Sequence, residues 1–204
     1  MFMKPILYSY RRCPYAMRAR MSLKYAGIEV EHREIELRKK PESMLLLSPK
    51  GTVPVLSIEG RVLEQSLEIM HWALMQSDPD GWTPVDEFIA QAWVEKNDGP
   101  FKTLLDQYKY PNRHPELRQA EVLNQLQEIM LKPMEATLAA NDYLMGARIT
   151  WVDIAIFPFI RQLAAVNPQL FESLQLPLLK RWLNQHLQSE LFNSVMDKHP
   201  TWVD

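Results

Sequence analysis

Cys13 is the only cysteine among 204 residues. The stretch around it, Ser9-Tyr10-Arg11-Arg12-Cys13-Pro14-Tyr15-Ala16-Met17-Arg18, places it where an apolar strand gives way to a helix. Ile6-Leu7-Tyr8 reads as a short buried strand. Pro14 suits the first helical position, because its missing N–H would have had no partner there. Cys13 is therefore expected at or beside the helix N-cap, facing unpaired backbone N–H groups and the positive end of the helix dipole. Such a position favours thiolate over thiol. Bringing a cysteine from its reference pKa near 8.5 to about 6.5 takes roughly 2.7 kcal/mol. A helix terminus together with one guanidinium, from Arg11, Arg12 or Arg18, can supply that. Most free cysteines are small buried hydrophobes, but the strand, Cys-Pro, helix context favours a nucleophile here.

Composition bounds the rest. The length allows one large or two small domains, and 47% hydrophobic residues support a real core. A net charge of −2 and a pI near 6.2 argue against a nucleic-acid or anionic-membrane binder, which needs a basic surface. One cysteine excludes an internal disulfide framework and fits a reducing compartment. Met1-Phe2-Met3-Lys4-Pro5 opens no long apolar run with a cleavage site, and no stretch approaches a membrane span in length. A soluble cytoplasmic protein is the expectation.

The elements that must position Cys13 follow in order. Ala16, Ala19, Leu23 and Ala26 recur at helical spacing from Pro14, and Gly27 stops the helix. Ile28-Glu29-Val30-Glu31 alternates like a strand. Glu42 to Leu47 is a short segment between Lys40-Pro41 and Ser48-Pro49-Lys50-Gly51. Thr52 to Ile58 and Arg61 to Leu63 read as strands joined at Glu59-Gly60, and Ser66 starts an amphipathic helix. Val53-Pro54 is the second notable pair. A proline inside an apparent strand implies an edge, a bulge or a cis peptide. A cis bond would leave Val53's main chain available to an extended peptide ligand.

Together, the element order, the Cys13-Pro14-Tyr15-Ala16 motif, Val53-Pro54 and Gln65-Ser66 resemble the thioredoxin-fold half of a cytosolic glutathione S-transferase. The Cys-Pro-aromatic-Ala form is similar to the cysteine-type members, especially the omega class, and Lys40-Pro41 stands where that class has its glutathione-binding lysine. The resemblance implies an α/β thioredoxin-like domain over residues 1–77, a linker over 78–84 and an all-helical C-terminal domain over 85–204. It implies Cys13 as the nucleophile that forms a mixed disulfide with glutathione. It further implies Val53 and the following Pro54 as the main-chain clamp on the tripeptide, Gln65 and Ser66 at its γ-glutamyl end, and Lys40 at its glycine carboxylate. Taken singly, Ser66 is equally an N-cap, Gln65 a loop residue and Lys40 a solvated charge; their joint spacing favours the site. Position 16 is Ala, where dithiol glutaredoxins carry a second cysteine, so any redox cycle is monothiol, with glutathione as resolving thiol. Ser9, Tyr10 and Tyr15 keep open a hydroxyl that activates glutathione directly.

Ser77-Asp78-Pro79-Asp80-Gly81-Trp82-Thr83-Pro84 punctuates the chain, and helical spacing takes over after it. Asn97-Asp98-Gly99-Pro100 is expected to interrupt one helix. A long helix is expected from about Glu116 to Ala140, kinked at Pro133. Thr150 and Asp153 have capping-box spacing, which makes Asp153 a folding residue rather than a catalytic acid. Trp93, Phe101, Tyr108 and Tyr110 are candidates to line a second-substrate cleft, although aromatics at this spacing are more often core. The five histidines show no metal-ligand spacing, and no metal is expected.

Three functions compete. The motif favours a glutathione-dependent thiol transferase working on a disulfide through Cys13. Ordinary conjugation of glutathione to a small electrophile needs the same pocket but no mixed disulfide. A non-catalytic binding module for a protein partner, as in the stringent starvation proteins, is opposed by the retained Cys13, Lys40 and Gln65-Ser66 set. The resemblance also implies a homodimer.

Overall fold

A computed structural model describes residues 4–204; Met1-Phe2-Met3, part of the N-terminal stretch read above, lies outside them. The chain divides into two units, one running to Gly81 and taking in Gln188–Asp204, the other Trp82–Leu187.

The first unit is built on a four-stranded sheet of β1 (Ile6–Ser9), β2 (Glu31–Glu34), β3 (Val55–Ile58) and β4 (Arg61–Leu63) in the order β2-β1-β3-β4. β1 and β2 are parallel, while β3 runs antiparallel to both β1 and β4. Successive strand residues point to opposite faces, so Leu7 and Leu56 face one way and Tyr8 and Val55 the other. On the first face lie α1 (Pro14–Tyr25) and α3 (Ser66–Gln76), contributing Ala19, Leu23, Ile69 and Ala73 to one apolar cluster. The second face packs Met44 of α2 (Glu42–Leu47) with Ile35 and Val53. This is the thioredoxin-like arrangement that the element order implied.

Two expectations shift. The strand expected from Ile28 instead begins at Glu31, because Glu31 N donates to Pro5 O (2.8 Å) and Ile6 pairs with Glu31. Its polar sequence, Glu31-His32-Arg33-Glu34, fits the sheet edge it occupies. Residues 188–204, read from the sequence as part of the helical domain, pack with the first unit. Arg20 Nε donates to Val195 O (3.0 Å), and Trp202 N donates to Glu34 O (2.7 Å). These partners are main-chain groups, which a sequence pattern does not display.

The second unit is helical: α4 (Glu87–Lys96), α5 (Lys102–Lys109), α6 (Gln119–Leu126), α7 (Lys132–Ala140), α8 (Trp151–Ala164), α9 (Pro168–Ser173) and α10 (Pro177–Gln188, whose last residue belongs to the first unit). α11 (Glu190–Ser194) belongs to the first unit. The break expected at Asn97-Asp98-Gly99-Pro100 is a π-helical turn, Asn97–Phe101, that joins α4 to α5 without interruption. The long helix begins at Gln119 rather than Glu116, and it passes through a second π turn, Gln127–Leu131, before reaching Pro133. A proline removes one helical donor and crowds the preceding turn; wider π bonding accommodates both.

Thr150 caps α8 in a capping box with Asp153, as its spacing predicts. Asp153 is fully buried and accepts from Leu144 N (3.0 Å), Thr150 N (3.0 Å), Thr150 Oγ (3.1 Å) and Trp182 Nε1 (2.9 Å). Asp153→Ala would strand several buried donors, each costing ~1–3 kcal/mol. Urea unfolding is expected to show a loss of about 3 kcal/mol or more, the sum of such terms.

His186 lies against Trp182 (ring centroids 4.6 Å) and Phe157 (5.1 Å), and burial pushes its imidazole down from 6.5 to about 3. The unfolded chain therefore holds the extra proton between those values, and stability should fall as pH drops from 6.5 towards 3. At most about 5 kcal/mol is at stake, at ~1.4 kcal/mol per unit. A His186→Gln variant should flatten that slope in a pH series of urea unfolding curves.

Candidate glutathione site

The turn between β1 and α1 carries the thiol. Cys13 is the N-cap of α1 with extended backbone (φ −71°, ψ 123°), and Pro14 follows inside the first turn. Cys13 N donates to Tyr10 O (3.0 Å), and Met17 N donates to Cys13 O (2.9 Å), so the helix starts at the residue the sequence indicated. The thiol is half-buried, and its Sγ donates to Val53 O at 3.7 Å. Val53-Pro54 is a cis peptide, which resolves the three readings of that proline. β3 begins only at Val55, so Val53 stands outside the ladder, beside the thiol.

Other candidates are placed as follows. Gln65, not Ser66, is the N-cap of α3, in a capping box whose Glu68 side chain accepts from Gln65 N (3.3 Å). Ser66 is the first helical residue, buried, and its Oγ accepts from Arg18 Nη1 (3.4 Å). Lys40 is exposed, and its chain lies along Gly51: a Cβ built there would sit 3.3 Å from Lys40 Cδ and Nζ. Contacts thus link Cys13 with Val53, Ser66 with α1 and Lys40 with the turn two residues before Val53. Gln65 is exposed and engaged with its own helix.

The guanidinium groups are sorted differently from the sequence reading. Arg12 donates to Tyr10 OH (3.0 Å), and Arg18 is wholly buried against Ser66 and the Tyr15 ring (5.3 Å to its centroid). Arg20, which the sequence reading passed over, holds the thiol-bearing turn. Its Nη1 donates to Ser9 Oγ (2.7 Å) and Tyr10 O (3.4 Å), and its Nη2 donates to Arg11 O (2.8 Å). Ser9 is therefore buried and committed to Arg20. A cation in the middle of a helix buried from Ala16 to Leu23 must be paired; that was the available signal. Among the cleft candidates, Phe101 is fully buried and Tyr108 nearly so, and both act as core of the helical unit. Tyr110 is exposed against Lys109 and Arg113. Among the described residues no group of three or more His, Cys, Asp or Glu side chains is placed to hold a metal ion.

Residues 7–81 match the family described as glutathione S-transferase, N-terminal domain, and residues 102–190 match its C-terminal domain. The chain belongs to the glutathione S-transferase family. It is 28% identical over 193 residues to glutathione S-transferase U19 of Arabidopsis thaliana, spanning 91% of this chain and 86% of that one. To glutathione S-transferase omega-1 of Rattus norvegicus it is 28% identical over 187 residues, 87% of this chain and 74% of the relative. Its fold is similar to that of a glutathione transferase family member from Pseudomonas fluorescens solved with two glutathione bound, with a TM-score of 0.80 and 19% identity over 95% of this chain and 92% of that one.

Within this transferase fold, Gly51 is a constraint of its own. Its φ of +63° lies in the left-handed region, and any side chain there would press on Lys40 and on Leu45 Cδ2 (3.2 Å from the ideal Cβ). Gly51→Ala is expected to cost about 1 kcal/mol or somewhat more in thermal unfolding. Lys40→Ala, at an exposed position, should cost under about 0.5 kcal/mol.

Proposed function

We propose that this glutathione S-transferase family member is a glutathione-dependent thiol transferase that works through a mixed disulfide on Cys13. The observation that carries the reading is the single thiol at the N-cap of α1, 3.7 Å from the main-chain carbonyl of Val53 beside a cis proline. The helix N-terminus favours the thiolate, and Val53, which lies outside the β3 ladder, suits main-chain pairing with an extended tripeptide. The omega-class relative is compatible with this.

The chemistry balances with glutathione alone. The Cys13 thiolate attacks the glutathionyl sulfur of a disulfide; the sulfur–sulfur bond breaks, and the other thiol leaves as thiolate and takes up a proton. A second glutathione thiolate then attacks the sulfur of the Cys13–glutathione disulfide. Cys13 leaves as thiolate, and oxidised glutathione is released. The net change is one glutathione consumed: the substrate's mixed disulfide is released as a thiol, and its glutathionyl group leaves joined to the incoming glutathione as one disulfide. In this reading Val53 and Pro54 clamp the cysteinyl main chain, Gln65 and Ser66 take the γ-glutamyl end, and Lys40 takes the glycine carboxylate. Residues 1–77 form the glutathione-binding domain, and 78–84 the linker to the helical part. The substrates are glutathione and a small disulfide, and the protein acts in the cytoplasm as a homodimer. Exposed Leu46 (78%) and Met75 (73%) in the first unit and Phe88 (84%) in the second are apolar surface that suits association.

The conjugating alternative requires a hydroxyl to activate glutathione. Ser9 is buried and committed to Arg20, whereas the Tyr10 hydroxyl accepts from Arg12 and keeps its own proton to donate, so Tyr10 and Tyr15 remain the hydroxyls that the conjugating reading would use.

Intact mass after incubation with oxidised glutathione separates the readings. A single glutathione adduct on wild type, absent from Cys13→Ser and removed by reduced glutathione, is the expected outcome. Glutathione binding without an adduct would favour conjugation, and no binding at all would overturn both enzymatic readings.

A further inference from the structure

The C-terminal segment lies across the edge strand of the first unit, and it is fastened at separate points. Trp202 N donates to Glu34 O (2.7 Å), with Thr201 bridged to Glu34 in parallel register. The Arg33 guanidinium stacks on the Trp202 ring (4.0 Å), and His199 stacks on His32 (4.0 Å, 16° between planes). Asp204 accepts from Ser43 N (2.9 Å), from the Ser43 hydroxyl and from Trp202 Nε1 (3.1 Å). Ser43 lies in the first turn of α2, whose own N-cap is Pro41 and offers no side-chain cap. Between these points, α1, the stretch leading into β2 and the segment line an open cleft of about 550 Å³, with Arg20, Leu23, His32, Val195 and His199 on its walls. Attachment therefore depends on the discrete contacts rather than on continuous packing.

Two residues under this segment also hold the thiol-bearing turn. Glu34 receives Trp202 on its carbonyl, while its carboxylate accepts from Arg11 N (2.6 Å) and bonds His32 Nε2 (3.0 Å). Arg20 donates to Val195 O and to the Met196 sulfur on one side, and to Tyr10 O and Arg11 O on the other. The turn from Tyr10 to Cys13 thus has its amide at position 11 and its carbonyls at positions 10 and 11 all tied to Glu34 and Arg20. The same two residues tie down the segment.

We propose that residues 195–204 act as a clasp that positions Cys13, with Glu34 and Arg20 as the positioning residues through which it does so. A docked segment fixes Arg20 and Glu34; these fix the turn; the turn keeps Cys13 at the N-cap of α1 and its Sγ beside Val53 O. Releasing the segment leaves the thiol on a looser turn, less consistently placed where the helix terminus favours the thiolate. The inference deepens the thiol-transferase reading, since it concerns the same sulfur, but it is testable without glutathione.

The test is the rate of Cys13 alkylation by iodoacetamide across neutral pH. It compares the full-length wild type with Glu34→Ala, Glu34→Gln and a double variant, Trp202→Ala with Asp204→Ala. The double variant changes only positions on the segment itself, so it preserves the test should Glu34→Ala fail to fold. Glu34→Ala and the double variant should both slow alkylation at neutral pH by about threefold or more, as expected for a smaller thiolate fraction. The slowing should fade in alkali, where any cysteine is ionised. Glu34→Gln keeps an oxygen for Arg11 N and should recover most of the rate. Variants that lower the unfolding temperature but leave the alkylation profile unchanged would overturn the proposal, as would an effect confined to Glu34→Ala. If alkylation depends on the segment but wild type forms no glutathione adduct, the clasp stands and the thiol-transferase reading falls.

Discussion

A guanidinium cannot be buried unsatisfied, and Arg20 is buried in the middle of α1. Its cost is met by main-chain carbonyls and a serine hydroxyl drawn from three separate places: the end of β1, the turn before Cys13 and the C-terminal segment. Charged donors to neutral acceptors make some of the stronger hydrogen bonds in proteins. The carbonyls among these acceptors are main-chain oxygens that need a partner when buried. The path of the chain around the thiol follows from that one requirement. The sheet supplies the platform, α1 supplies the helix terminus, and Arg20 binds turn and segment to both.

Much of the first unit was legible from residue types. Its punctuation, Pro14, Gly27, Glu59-Gly60 and the start at Ser66, fixed where most elements begin and end, because proline and glycine act through local backbone geometry. The alternation of Leu7 with Tyr8 matched a sheet covered on both faces. β2 was misplaced by three residues because its register is set by pairing with Pro5 and Ile6, and edge strands do not display an apolar pattern. The packing of the C-terminal segment on the first unit is hidden for a related reason. Glu34 carbonyl to Trp202 amide, and the Arg20 guanidinium to Val195 carbonyl, join residues far apart in sequence through main-chain acceptors that every residue has.

At the site the division is similar. The N-cap position of Cys13 and the capping of α8 by Thr150 and Asp153 rest on local chemistry visible in short motifs, whereas Val53-Pro54 marked an unusual proline without deciding between an edge, a bulge and the cis bond that is present. The neighbours of the thiol were harder. Arg11, Arg12 and Arg18 are close to Cys13 in sequence, yet the structure shows Arg12 on a tyrosine and Arg18 on Ser66. The residue that holds the turn is Arg20, seven residues and about two helical turns beyond Cys13. Residues seven apart on a helix share a face, so proximity in sequence was the wrong guide.

The two π turns have a consequence for how the helical unit tolerates change in length. Relative to α bonding, a π turn carries one additional residue, and in an α-helix each residue turns the following side chains by about 100°. Held in α bonding instead, that residue would rotate the apolar stripe of α5, which buries Leu105 and Tyr108, and that of α7, which buries Met134 and Leu138, relative to α4 and α6. Each turn thus behaves as a stored insertion that keeps the downstream helix in phase. A one-residue deletion within 97–101 or 127–131 can be absorbed by reverting to α bonding, with the stripe beyond it left in place. Relatives that lack the extra residue should therefore keep the same apolar pattern in the helix that follows, with a plain α turn before it.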